Sequence, residues 1–296
     1  MWRIWTAALL WGLNWPAVKI MLTAIPPWTL RAAGLSAGAV LLIAFARLTG
    51  RRLAIPIAQW RHVAIAGLLN VAGFNIFAVF AQLSMPTSRA AILTFTMPLW
   101  AALFSWLALG EKIDNRRGVA LGVGAIGLVA LSLPFLDVMR AGNVPVGLAY
   151  VLGAAISWAA GTVYLKAHPI ATEPLVLTAW QVVVAAVVCT AGMLAFEPPI
   201  PVWQSRTLAP AVAMAFVYHA IFPQAVAYVL WFSFIRSVSA GSATLGTLLV
   251  PVFGVVGAVV LLDDWPAATD IAGLALLLAA VVLDQIARPP APVRSS

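Results

Sequence analysis

The residues best equipped for chemistry in this sequence stand inside apolar stretches. His219 lies in one of them, and a neutral imidazole there both donates and accepts hydrogen bonds and titrates near physiological pH. Asn14, Asn75, Thr94 and Tyr218 are uncharged polar groups in similar surroundings. Such groups serve either as glue between helices or as contacts for a bound polar molecule. Trp100 and Trp158 fall near the middle of their stretches, where an indole faces protein or a cavity and can stack on an aromatic or alkyl group. Lys19 and Lys166 lie near the ends of theirs, placed either to snorkel or to attract a carboxylate into a pathway. Arg31, inside the second stretch, reads as snorkelling outward. Pro98 and Pro251 each delete a backbone hydrogen bond within an apolar run and free a carbonyl, as a kink, a hinge or a site for a ligand.

Enzymatic chemistry finds little support. No phosphate loop, nucleotide cassette, zinc spacing or nucleophile elbow is present. An intramembrane enzyme would need a convergent nucleophile and base, and His219 with Ser157 is the cheapest pairing on offer. The nine acids fall in loops or at the ends of apolar stretches, Asp284 near the end of the last. Intramembrane proton relays commonly use carboxylates at depth, so a carboxylate-coupled proton antiporter is disfavoured, while coupling through histidine stays open. One cysteine, Cys189, makes no intramolecular disulfide or metal cluster and reads as a core residue. No cofactor and no metal are expected.

These groups must be positioned by membrane helices. The 296 residues are 63% hydrophobic and only 9% charged, with a mean hydropathy of +1.01, against about a quarter charged in soluble domains. A bilayer removes the need for a polar exterior. Ten stretches have the length of a span, about 20 residues: 4–24, 28–46, 62–83, 88–109, 117–134, 146–165, 174–195, 208–235, 241–262 and 269–287. Turn residues separate them, among them Pro26-Pro27, Gly110-Glu111, Pro145 and Pro198-Pro199. Pro223 predicts a kink in the eighth. The net charge of +8 would suggest nucleic acid on a soluble protein. Here most Lys and Arg sit in short loops, where they record topology. Twelve of the seventeen fall on the side that carries both termini and three on the other, which predicts cytoplasmic termini. Trp2, Trp5, Trp28, Trp60, Trp203 and Trp265 read as an interfacial belt.

The halves resemble each other. A shift of 147 places Ala7, Ala8, Trp11 and Lys19 on Ala154, Ala155, Trp158 and Lys166. A shift of 153 places Thr94, Pro98 and Glu111 on Thr247, Pro251 and Asp264. Five spans per half make the second copy inverted, an arrangement that lets two halves open alternately to either side. Gly118-x-x-x-Gly122, with Gly127, predicts a close helix approach within the fold or to a second copy.

The run Leu9-Leu10-Trp11-Gly12-Leu13-Asn14-Trp15-Pro16-Ala17-Val18-Lys19 resembles the first-helix signature of the drug/metabolite transporter superfamily in its EamA-domain branch. Thr94-Phe95-Thr96-Met97-Pro98-Leu99-Trp100, continuing to Leu109-Gly110-Glu111-Lys112, is similar to that family's fourth helix, and Gly118 to Leu131 to its fifth. The second copy departs, with Asp263-Asp264 where Gly-Glu is expected. By general likeness the chain looks most like YddG-type exporters of aromatic and other neutral amino acids.

The resemblance implies an all-α membrane protein of ten transmembrane helices in two inverted repeats, residues 1–136 and 146–288, joined by a periplasmic linker 137–145 and followed by a cytoplasmic tail 289–296. The expected location is a bacterial inner membrane, and the expected partners are the bilayer and a small-molecule substrate, without nucleic acid. A monomer would suffice, and the oligomeric state is left open. The implied activity is export of small metabolites, amino acids first, by alternating access through a central cavity. Carriage of purines or sugar phosphates, and an intramembrane enzyme, are the alternatives.

Overall fold

The computed structural model describes residues 2–136, 139, 141, 145–197, 209–230 and 249–287. Every element among the described residues is helical. In chain order the helices are α1 (Trp2–Met21), α2 (Pro27–Leu48), α3 (Ile57–Ser84), α4 (Thr87–Leu109), α5 (Asn115–Phe135), α6 (Val146–Ala167), α7 (Pro174–Phe196), α8 (Pro210–Leu230), α9 (Leu249–Leu262) and α10 (Ala268–Ala287). Among the described residues seven of these, α2 to α8, are long and apolar enough to cross a membrane, and the described parts of α9 and α10 are shorter apolar helices. The end of the eighth expected span, the start of the ninth, Thr247, Trp203, most of the 137–145 linker and the 289–296 tail lie outside the described residues.

The boundaries follow local chemistry. Proline occupies the first turn of α2, α7 and α8, where its missing N–H costs nothing. Asp114 caps α5 by accepting the Arg117 N–H at 2.8 Å. α4 ends on Gly110 at φ +65°, a left-handed conformation suited to glycine. The end of α9 is built alike around Asp263, at φ +54°, and Asp is among the few side chains that tolerate this region. The next N–H in each turn reaches back to a matched carbonyl, Glu111 to Ser105 at 3.3 Å and Asp264 to Ala258 at 3.2 Å. The Asp-Asp that departs from Gly-Glu in sequence thus makes the same turn.

Three helices are irregular. α3 carries a π-helical segment, Gly67–Gly73, and α8 carries another, Phe222–Val226. The second contains Pro223, where a kink is expected; the first has no proline to announce it. α4 is broken into Thr87–Thr94 and Met97–Leu109, so Pro98 sits in the first turn of the second piece rather than inside a continuous helix. Pro251 is buried within α9.

The most extensive pairings are α2 with α7, α5 with α10, α3 with α6 and α7, α4 with α6 and α9, α1 with α8 and α9, and α2 with α8. Lipid is as apolar as the side chains, so helix association depends on close packing and on polar contacts. Small residues supply the first. Ala32, Ala39 and Ala46 on α2 meet Ala179, Ala185 and Cys189 on α7. A Cβ built on Gly12 would fall 2.8 Å from the Val250 carbonyl of α9, and one on Gly161 would fall 2.5 Å from Asn70 Oδ1 of α3. Ala7, Ala8, Ala154 and Ala155 are all fully buried. On α5 it is Gly124 and Gly127 that meet neighbours, Leu99 and α10. Among the described residues Gly122 meets nothing within 4 Å and Gly118 only Ile113, at 4.0 Å.

Polar contacts gather at the two ends of the bundle. At one end Glu197 accepts the Trp28 and Thr29 N–H groups, each at 2.7 Å, closing the start of α2. Asp264 likewise accepts the Thr87 and Ser88 N–H groups at the start of α4, and Arg89 forks onto Asp270 at 2.8 and 3.1 Å. At the other end Arg51 pairs with Glu173, and Glu111 pairs with Lys166 and Arg117. Each contact joins helix ends that an alternating up-and-down path puts on the same side. Of the expected tryptophan belt, Trp2, Trp5 and Trp265 are exposed. Trp28 instead packs on Phe80 and Phe196, and Trp60 packs on Trp180.

Candidate functional site

The seam between α1 and α8 holds three of the residues singled out from sequence. His219 Nδ1 lies 2.6 Å from Asn14 Oδ1. A carboxamide oxygen only accepts, so this contact fixes the imidazole as the Nδ1–H tautomer and leaves Nε2 as an acceptor. Nε2 has no partner among the described residues, although His219 is fully buried. The ring is pressed against α2, where a Cβ on Gly34 would stand 2.5 Å from Nε2. One residue before it, the Tyr218 hydroxyl donates to the Leu10 carbonyl at 2.8 Å. A turn later Trp11 Nε1 donates to the Pro223 carbonyl at 3.2 Å, and its ring meets Tyr228 edge-on at 5.4 Å. A π-helical turn puts carbonyls out of register with the donors that would serve them. Trp11 serves one of them from the neighbouring helix.

The seam between α3 and α6 is built in the same way around the other π segment. Ser157 Oγ donates to the Leu69 carbonyl at 2.7 Å, and Asn75 Nδ2 donates to the Val71 carbonyl at 2.9 Å. Asn70 Nδ2 reaches Gln181 at 3.4 Å, and Thr162 donates to Asn70 at 3.4 Å. The Trp158 ring stands edge-on to Phe74, with centroids 5.2 Å apart. Ser157 and His219 thus lie in different seams with different partners, which removes the one nucleophile–base pairing the sequence offered.

The break in α4 orders a third group. Thr94 and Thr96 bond back to the Ala90 and Leu93 carbonyls at 2.7 and 2.8 Å, and Trp100 Nε1 donates to Thr96 Oγ1 at 3.2 Å. Thr94 is buried, while Trp100, Trp158, Asn14, Asn75 and Tyr218 are half-buried. The two lysines lie at opposite ends. Lys19 Nζ donates to the Gln82 carbonyl at 2.5 Å on the terminus of α3, and Lys166 pairs with Glu111 beyond α4. The Lys166 hydrogen bond, with Arg117 beside it, outweighs desolvation and holds the Glu111 carboxyl below its ordinary value of 4.5.

Among the described contacts, then, Asn14, His219 and Tyr218 share one seam, Asn75 and Trp158 border a second, and Thr94, Pro98 and Trp100 follow one another along α4. A cleft of about 620 Å³ opens where the α2–α3 and α6–α7 turns meet, lined by Thr49, Arg51, Arg52 and Glu173 among others, and none of the predicted site residues lines it. No group of His, Cys, Asp and Glu among the described residues can hold a metal ion. Sequence reasoning missed two features. One is the π segment of α3, whose only signal is the Gly67 and Gly73 that flank it. The other is Arg31, which is 3% exposed and faces the bundle rather than snorkelling outward. The glycines at 34 and 38 were its signal, because they bring α8 against that face of α2.

Comparison with known proteins adds the following. The sequence pattern of the EamA-like transporter family matches residues 2–133 and again 145–283. The uncharacterized inner membrane transporter YedA of Escherichia coli (strain K12) is 27% identical over 253 residues, covering 83% of this chain and 78% of YedA. A probable amino-acid metabolite efflux pump of Salmonella typhimurium is 26% identical over 289 residues, covering 93% of this chain and 91% of the pump. A solved crystal structure superposes with a TM-score of 0.66 at 23% identity, over 96% of this chain and 95% of that one, a likeness of fold.

Proposed function

The chain belongs to the EamA-like transporter family, a multi-pass inner-membrane transporter of small molecules, and on that premise we propose that it exports amino acids, aromatic and neutral ones first, by alternating access between two inverted five-helix repeats. The repeats are residues 1–136 and 146–288, with both termini cytoplasmic.

The observation that carries the reading is the pattern of helix pairings. Exchanging α1–α5 with α6–α10 maps the most extensive pairings onto themselves. α2 with α7, α4 with α9 and α5 with α10 exchange into themselves, α1 with α9 becomes α6 with α4, α1 with α8 becomes α6 with α3, and α2 with α8 becomes α7 with α3. The same exchange carries one π segment towards the other and the Gly110 turn onto the Asp263 turn. The family pattern matches twice, once in each half. Two like halves in opposite senses can exchange conformations and so expose one site to each side in turn. Interrupted helices at matched positions favour a site at the repeat interface, and the seams of α1 with α8 and α3 with α6 meet that description. Trp100 and Trp158 offer faces for an aromatic side chain, Asn14, Asn75, Thr94, Tyr218 and His219 offer polar contacts, and Lys19 and Lys166 with Pro98 and Pro251 serve the two openings and their hinges. The relative described as a probable amino-acid metabolite efflux pump supports the substrate class.

Counterflow in proteoliposomes tests the reading. Saturable uptake of labelled amino acid, driven by the same unlabelled compound inside, is the expected result, with Trp158→Ala reducing it at unchanged folding. No flux for any amino acid with folded protein in the vesicles sinks the substrate class and directs the assay to purines and sugar phosphates.

A further inference from the structure

Arg31 lies on the second turn of α2 and is buried, on a helix that packs against α7 and α8. Trp28, three residues earlier, lies against Gly192 of α7, and Gly34, three residues later, lies against His219 of α8. Arg31 stands between them on the same face of α2. A guanidinium held in such a place needs an anion and acceptors for its N–H groups. The described structure supplies neither. Its Nε has no hydrogen-bond partner, and no ion pair involves it.

The acids are otherwise engaged. Of the nine, Asp137 and the Asp284 side chain lie outside the described residues, and each of the remaining seven is committed elsewhere. Glu111, Glu173 and Asp270 hold Lys166 with Arg117, Arg51, and Arg89. Asp114, Asp264 and Glu197 close the starts of α5, α4 and α2. Asp263 accepts from Trp265. Glu197 stands at the same end of the bundle as Arg31, but its oxygens take two backbone N–H groups and the Thr29 hydroxyl. Against Gly34, three residues on from Arg31, the Nε2 of His219 is another buried polar atom without a partner among the described residues.

We propose that Arg31 is the anion-recognition point of this protein, taking the oxyanion of a bound small molecule, a carboxylate in the first instance, between α2, α7 and α8. The proposal rests on the carrier reading and narrows it, because the carried class then bears an acid group. A guanidinium fork matches the two oxygens of a carboxylate. His219 Nε2, an acceptor one helix away, suits a donor on the same ligand, such as an ammonium group. Asn14 holds the ring in the tautomer that makes this possible.

The test uses purified full-length protein in detergent and reads the thermal unfolding midpoint. The probes are the common amino acids, their decarboxylated amines, acetate and inorganic phosphate, each on the wild type, Arg31→Met and Arg31→Lys. Amino acids are expected to raise the wild-type midpoint and their amines to fail. Arg31→Met is expected to lose the response, with binding at least about tenfold weaker, the usual scale for one charge-assisted contact. Without ligand, Arg31→Met is expected to be as stable as the wild type or more so, because it removes an uncompensated buried charge, and this arm needs no knowledge of the ligand. A ligand-free Arg31→Met that melts several degrees lower, with Arg31→Lys restoring it, makes Arg31 a structural residue and overturns the proposal. Equal responses to amino acids and their amines overturn it too, and a response to phosphate alone reassigns the site to phosphorylated solutes. Counterflow run alongside separates the two readings. Flux that ignores Arg31→Met leaves a carrier without this site, and an Arg31-dependent shift without flux leaves the site without the carrier.

Discussion

Arg89 and Asp270 offer the sharpest test of the packing. They join the start of α4 to the start of α10 through two hydrogen bonds, at 2.8 and 3.1 Å, with side chains 16% and 3% exposed. Asp270 also accepts the Ala267 N–H at 2.9 Å, so the carboxylate organises the first turn of its own helix as well as the ion pair. Arg89→Met leaves that carboxylate buried with one backbone donor. Stranding one member of a buried pair costs about 3–5 kcal/mol. At roughly 2–4 °C per kcal/mol for a large domain, the unfolding midpoint in detergent should fall by about 6–20 °C. Asp270→Leu should cost a similar amount, since it strands Arg89 and opens the α10 turn. The double variant should recover a large part, because replacing both partners removes the unpaired charge. The assay is a double-mutant cycle on the unfolding midpoint, and the coupling should exceed about 1.5 kcal/mol. Additive costs below about 1 kcal/mol each would refute the reasoning, since they would make the pair an ordinary solvated surface contact.

The other predictions follow from the same kind of reading. Gly161→Ala drives a methyl within 2.5 Å of Asn70 Oδ1 and 2.8 Å of its backbone nitrogen, and should destabilise by about 1–3 kcal/mol. Gly122→Ala meets nothing within 4 Å and should be neutral or stabilising by up to about 1 kcal/mol in the same melts. Glu111 has a folded pKa below its ordinary 4.5, so its contribution is present above that value and lost only as pH falls through the lowered one. The stability difference between wild type and Glu111→Gln, measured against pH, should hold at neutral pH and close only at pH below the ordinary 4.5; a difference already gone at neutral pH would sink it. Asn14→Leu frees the His219 Nδ1–H, and should lower counterflow about tenfold or more while the protein stays folded, whereas Val119→Ala on the exposed face of α5 should leave it unchanged.

Much of this architecture is legible in the sequence because membrane helices are written in long apolar runs and bounded by proline, glycine and charge. The expected spans and the structural helices agree to within a few residues at most ends, and the clearest discrepancy is the start of α3, Ile57 rather than residue 62. Position along the chain was readable. Helix faces were not, because nearly every face of these helices is apolar and periodicity carries little signal. Of the glycines read as a contact, Gly127 meets α10, Gly118 and Gly122 meet almost nothing among the described residues, and Gly124, which the reading did not single out, meets Leu99. Trp28 and Trp60 read as interfacial because tryptophan near a span end usually is, and the structure adds aromatic neighbours to both, Phe80 and Phe196 for the first and Trp180 for the second.

The misreading of Arg31 has a physical lesson of its own. A lone arginine near a helix end has two solutions, to reach the interface or to face the bundle, and both satisfy the rule that charge avoids lipid. What decides between them is the neighbour across the seam. Here that is α8, drawn onto α2 because Gly34 and Gly38 leave room for His219 and Gln224. The residue that decides Arg31's fate is thus nearly 190 positions away in sequence. The polar groups of the candidate site follow the same logic. Ser157 and Trp11 are ordinary helix residues until a π segment on the facing helix puts a carbonyl opposite them, and Asn14 until α8 puts an imidazole there. The chemistry of this bundle therefore belongs to its seams, and it becomes visible only once both sides of a seam are known.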